Sequence, residues 1–92
     1  MYKVTIDTID KKSGAPKAHR EFYPGEIDTK AFRETMNEIA VCLYDLDLLF
    51  DVDRDGDLVL DDLLGELADQ VPVSKTFDNR GKIYKVSGSE EA

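Results

Sequence analysis

The chain has 92 residues and a net charge of −8 at pH 7, from 20 acidic and 12 basic side chains. This length predicts one domain, and a hydrophobic fraction of 41% predicts that the domain folds. No apolar run approaches the roughly 20 residues that cross a bilayer, and the N-terminus lacks the apolar stretch of a signal peptide. One cysteine, Cys42, and one histidine, His19, exclude an internal disulfide and a zinc site made of those ligands. We therefore expect a cytoplasmic protein.

The N-terminal segment predicts a β-hairpin. Residues 2–9 alternate between polar and apolar side chains, which is typical of a strand with one buried face. A polar, turn-rich segment follows, and residues 19–23 predict a second short strand. The Pro24–Gly25 pair then favours a type II turn, because glycine accepts the positive φ that this turn requires.

The strongest helix pattern follows this turn. Asp28 is the expected N-cap, with Ile27 and Phe32 at the spacing of a hydrophobic staple. Apolar residues then recur at spacings of three and four over more than five turns, at Phe32, Met36, Ile39, Leu43, Leu46 and Phe50. Further apolar residues lie outside this stripe, at Val41, Cys42, Leu48 and Leu49. They indicate either a second covering layer or a face for a partner or a second copy, and the sequence leaves both open.

The C-terminal third predicts a short helix and a second hairpin. Residues 61–70 place four apolar side chains inward, at Leu63, Leu64, Leu67 and Ala68. Residues 73–77 and 82–86 predict two strands, joined by a type I turn over residues 78–81.

These elements predict an α+β fold. Two β-hairpins form one small antiparallel sheet packed on a long central helix, with an acidic loop and a short second helix. The domain spans residues 1–86, and the polar residues 87–92 (SGSEEA) predict a disordered acidic tail.

The negative charge is concentrated in one stretch. Residues 51–70 hold eight acidic side chains against Arg54 alone, whereas residues 1–50 carry a net −2 and residues 71–92 a net +1. Such a field repels nucleic acid and anionic lipid headgroups, and it attracts cations or a basic protein surface.

Within this stretch, carboxylates alternate along the loop in a way that suits a hard cation. Calcium takes six to eight oxygens, which alternate positions of a tightly curled loop supply. Asp51, Asp53 and Asp55 precede Gly56, where the backbone turns, and the apolar Leu58 follows.

The segment resembles the EF-hand calcium-binding loop and the related dockerin loop. The resemblance covers about residues 43–70, and Leu49–Phe50, Leu63 and Leu67 fit the flanking pattern. It implies side-chain ligands at Asp51, Asp53, Asp55 and Asp62 and a backbone ligand at Asp57. The chain has no second loop of this type, and Asp62 is shorter than the usual glutamate. We therefore expect weak affinity, about 10⁻⁵ to 10⁻³ M.

An alternative function uses the same acids without a metal. Carboxylates outside the calcium pattern form a second expected partner-binding set, at Asp45, Asp47, Asp61, Glu66 and Asp69. An array of this kind imitates the phosphate spacing of nucleic acid. It is similar in size and charge to small acidic inhibitors of phages and mobile elements, such as anti-restriction and anti-CRISPR proteins, and to toxin-immunity proteins.

No pattern of a catalytic site is present. His19 has no matched nucleophile, Cys42 lies on the apolar part of a helix, and no phosphate-binding glycine motif occurs. We expect a non-enzymatic binding protein that takes calcium or a basic protein surface, does not bind nucleic acid or membranes directly, and is a monomer or a homodimer through the long helix.

Overall fold

The computed structural model describes residues 1–45 and 59–91. Its elements in chain order are β1 (Tyr2–Asp10), β2 (Pro16–Phe22), α1 (Lys30–Asp45), α2 (Val59–Ala68), β3 (Val73–Asn79) and β4 (Lys82–Glu90). The predicted extension of the first helix through Leu46 and Phe50 lies outside the described residues. What is described is an α+β arrangement of four strands and two helices.

The two hairpins join into one antiparallel sheet with the strand order β2-β1-β4-β3. The central pairing of β1 with β4 runs from Tyr2 opposite Glu90 to Asp10 opposite Lys82. A backbone bond of 3.0 Å from the Lys11 amide to the Gly81 carbonyl also ties the two hairpin turns together.

Strand alternation creates one buried face and one open face. In β1 the buried side chains are Tyr2, Val4, Ile6 and Thr8, which are the residues that the alternation predicts. The same buried cluster contains Ile39, Cys42 and Leu43 from α1, Leu63 and Leu67 from α2, and Phe77, Tyr84 and Val86 from the second hairpin. The core therefore lies on the side of the sheet from which both helices contribute side chains.

The C-terminal strand is longer than predicted. Residues 87–90 are the last four of β4 and pair with the beginning of β1, so the prediction of a disordered tail is wrong for them. Beyond them, the Glu91 amide donates to the Met1 carbonyl at 2.8 Å. The polar side chains of residues 87–90 do not indicate a strand. Backbone hydrogen bonds with β1 hold this segment instead, and Gly88 packs beneath Tyr2.

Two local predictions also need correction. The turn between β3 and β4 has positive φ at both Arg80 (53°) and Gly81 (76°), so it is type I′ rather than type I. Type I′ matches the right-handed twist of the flanking strands. The N-cap of α1 is Thr29, whose Oγ1 accepts from the Phe32 amide at 3.1 Å, whereas Asp28 precedes the cap with φ 70°.

The end of α2 is fixed by a Schellman motif. Gln70 has φ 55°, its amide donates to Leu67, and the Val71 amide donates to Glu66. The Gln70 side chain in turn donates through Nε2 to the Gly25 carbonyl. This contact joins the end of α2 to the turn before α1.

Candidate functional site

The predicted calcium loop is described only at its end. Asp51, Asp53, Asp55 and Asp57 lie outside the described residues. Asp62 is the fourth residue of α2 and is exposed. Leu63 and Leu67, which follow it in the pattern, are fully buried. The helix thus presents Asp62 to solvent while its opposite face is fixed in the core.

The second acidic set is distributed along the two helices. Asp45 is the last residue of α1 and is exposed, and Asp69 is exposed just beyond α2. Glu66 is half-buried. The pKa of Tyr2 is raised mainly by the burial of its own hydroxyl and, to a smaller extent, by the negative charge of Glu66. Asp61 belongs to α2, and Asp47 lies outside the described residues.

Charge is divided between the sheet and the helices. Residues 1–22 and 73–92, which include all four strands, hold nine basic and six acidic side chains, a net +3. Residues 23–72, which include both helices, hold three basic and 14 acidic side chains, a net −11. Of this second group, the described residues 23–45 and 59–72 hold two basic and nine acidic side chains, a net −7.

Within residues 1–45 and 59–91, no group of three histidine, cysteine, aspartate or glutamate side chains is placed to hold a metal ion. The same two ranges contain no helix of the length and apolarity that would cross a membrane.

The open face of the sheet carries a network of charged side chains centred on Glu21. Its Oε1 contacts the Lys3 ammonium at 2.8 Å and His19 Nε2 at 3.2 Å, while His19 Nδ1 contacts Asp7. The hydrogen bond to Asp7, followed by that to Glu21, raises the pKa of His19. The hydrogen bond from Lys3, followed by that from His19, lowers the pKa of Glu21. His19 therefore contacts Asp7 on the neighbouring strand β1 and Glu21 on its own strand β2, and its place in a strand agrees with the prediction.

A groove lies between β2 and α1 on the helical side of the sheet. One part is a cavity of about 140 Å³ that is lined by Ile6, Thr8 and Ala18. A more open part extends past Phe22 and Val41. Arg20, Cys42 and Asp45 line both parts. Arg20 Nη1 lies 3.7 Å from the Cys42 sulfur, and Cys42 is buried.

Sequence reasoning missed Arg20 as a groove residue. Its place follows from the register, because Arg20 lies opposite Ile6 and therefore points to the helical side. The alternation of Ala18, Arg20 and Phe22 contains this information, but a strand predicted to begin at residue 19 obscures it.

Comparison with known proteins gives no relative for this chain. No family model, no curated protein and no solved structure matches it.

Proposed function

We propose that this chain is a non-enzymatic, cytoplasmic binding protein whose segment 51–62 binds calcium. The observation that carries the proposal is the start of α2 at Val59, the ninth position of the EF-hand-like pattern, with Asp62 exposed in the first helical turn. The closing carboxylate of such a loop belongs at this place in the exiting helix. The proposal also includes a long central helix, with α1 continuing beyond Asp45 as the entering helix.

Two further features support the proposal. Leu63 and Leu67 are fully buried, so the position of Asp62 is fixed relative to the core. The acidic side chains of the segment repel one another when no cation is present, and a bound dication removes this cost. Calcium binding at 51–62 would therefore order the loop and stabilise its connection to α2.

Calorimetric titration with calcium, after treatment with a chelator, tests this function. We expect a dissociation constant of about 10⁻⁵ to 10⁻³ M for the unaltered chain. The variant Asp53→Ala/Asp55→Ala removes two ligands, and we expect its affinity to fall at least about tenfold. The matched control Asp45→Ala/Asp69→Ala makes the same change in net charge outside the pattern, and screening should limit its effect to about threefold. Equal losses in the two variants would show that the field alone attracts calcium.

A second candidate is an acidic inhibitor that occupies the basic site of a partner protein. The net −7 of the described residues 23–45 and 59–72, against the net +3 of the strand-containing segments, favours it, because a basic partner is attracted to the helices rather than to the strands. Asp45, Asp62 and Asp69 are exposed members of that group. Capture of a basic protein that is lost on changing Asp45, Glu66 and Asp69 to lysine, and that is indifferent to a chelator, would favour this function over calcium binding.

A further inference from the structure

The strand β2 forms one edge of the sheet and is exposed along nearly its whole length. Among the described residues it pairs only with β1, on one side, and six of its seven residues are exposed, with Phe22 half-buried. An edge strand presents backbone N–H and C=O groups that can pair with another strand. Its occupant therefore has to match both a backbone edge of seven residues and the side chains on its two faces.

The residues of β2 are complementary to themselves in the antiparallel direction. If two copies pair about His19, Lys17 of each copy lies opposite Glu21 of the other, and Ala18 lies opposite Arg20. The pairing thus creates two pairs of opposite charge and two pairs in which a small side chain lies opposite a long one. Pro16, which has no N–H, lies at the end of the paired segment. We propose that two copies of this chain associate through β2, paired antiparallel about His19, to form one continuous eight-stranded sheet.

The charges already present at this edge suit the pairing. Lys3 and His19 both contact Oε1 of Glu21, and the pairing places Lys17 of the other copy opposite the same residue. The strands themselves lie in the part of the chain with a net +3. Both features lower the electrostatic cost of bringing together two chains that each carry −8.

The other edge of the sheet does not have this complementarity. Antiparallel pairing of β3 with itself about its central residue, Thr76, places Lys75 opposite Phe77 and Ser74 opposite Asp78. No pair of opposite charge forms there, so charge complementarity selects β2 as the contact.

The helical side of β2 also fits a second copy. A two-fold axis perpendicular to the sheet keeps the helices of both copies on the same side. The groove between β2 and α1 of one copy then opens toward that of the other. Val41 lines this groove and is 57% exposed, and Tyr44, one turn later in α1, is 42% exposed. A second copy at this edge of α1 would cover the exposed apolar surface of Val41 and Tyr44.

Charge reversal in the full chain tests the pairing, with sedimentation velocity and native mass spectrometry as readouts and a chelator present throughout. In Lys17→Glu, glutamates face each other at both symmetry-related positions, and in Glu21→Lys, lysines do. We expect each variant alone to dimerise at least about tenfold more weakly than the unaltered chain. Lys12→Glu, at an exposed turn position outside β2, is the matched control and should dimerise within about threefold of the unaltered chain.

Mixing the two variants distinguishes pairing from loss of folding. In a heterodimer of Lys17→Glu with Glu21→Lys, both positions again hold opposite charges, so the mixture should form heterodimers about as well as the unaltered chain forms homodimers. Labelling one variant with ¹⁵N separates the three dimer masses. Three results would overturn the proposal: a monomeric unaltered chain up to about 1 mM, equal weakening by Lys12→Glu and Lys17→Glu, or a mixture without heterodimer. None of these depends on whether segment 51–62 binds calcium.

Discussion

Replacing Gly88 by alanine should destabilise the fold strongly. The backbone of Gly88 has an ordinary strand conformation that alanine also adopts, so the cost comes from packing. A Cβ at this position would lie 2.0 Å from the Tyr2 hydroxyl oxygen, 2.7 Å from Tyr2 Cζ and 2.8 Å from Leu67 Cδ2. Tyr2 is 2% exposed and Leu67 is fully buried, so neither side chain can move away into solvent. The new methyl group must therefore displace part of the core.

The magnitude follows from two contributions. Overpacking of a filled core costs about 1–3 kcal/mol. Displacement of the Tyr2 ring also strains or breaks the bond of 2.6 Å from its hydroxyl to the Val71 carbonyl, which adds about 1 kcal/mol. The expected loss is about 2–4 kcal/mol, from a total of roughly 5–14 kcal/mol for a domain of this length. It corresponds to a fall in Tm of at least about 8 °C.

Urea unfolding in the presence of a chelator measures this loss, and Gly65→Ala is the matched control. Gly65 is a helix-interior position in α2, and apart from its chain neighbours and the backbone of its own helix no described atom lies within 4 Å of a Cβ built there. Alanine at this position should therefore stabilise the chain by about 0.5–1 kcal/mol. The two glycines should therefore respond with opposite signs to the same substitution. A Gly88→Ala variant within 0.5 kcal/mol of the unaltered chain would refute the packing of Tyr2 across β4.

Two further predictions concern the cap of α1 and the open face of the sheet. Thr29→Ala should lower the unfolding free energy by about 0.5–2 kcal/mol, as measured by chemical denaturation, because it removes the N-cap. Asp28→Gly should be neutral or stabilising, because glycine adopts the positive φ at this position without strain. A larger loss in Asp28→Gly than in Thr29→Ala would show that Asp28 is the cap. Since the folded pKa of His19 is raised by Asp7 and Glu21, its contribution is fully present below the unfolded pKa of about 6.5 and is lost as the pH rises through the folded value. His19→Gln should therefore lower the unfolding free energy more at pH 5.5 than at pH 9, and a difference that does not change with pH would contradict the role assigned to His19.

The sequence predicted the fold where side-chain patterns are regular. The alternation from Tyr2 to Thr8 identified the buried face of β1, and Leu63 and Leu67 identified the buried face of α2. The second half of β4 was missed because its apolar alternation ends at Val86. Its pairing partner is at the opposite end of the chain, and a long-range backbone ladder leaves no local pattern.

The predictions of the N-cap of α1 and of the turn between β3 and β4 were wrong for a related reason. Thr29 and Asp28 are both good N-cap residues, so composition alone could not decide between them. The type I′ turn requires a positive φ at Arg80, which is an uncommon residue for that conformation, so the residue types favoured type I. For the candidate site, the sequence supplied the spacing of the acidic side chains, whereas the division of charge between sheet and helices required the strand pairing of the two chain ends.

Thermal unfolding with and without calcium tests the central claim most directly. A ligand that binds the folded chain at about 100 times its dissociation constant adds roughly 2.7 kcal/mol to the unfolding free energy. We therefore expect Tm in calcium at this excess to exceed Tm in chelator by about 10 °C or more for a domain of this length. Magnesium at the same concentration serves as the control for general charge screening and should give a smaller shift. The same Tm in calcium and in chelator would contradict calcium binding at residues 51–62.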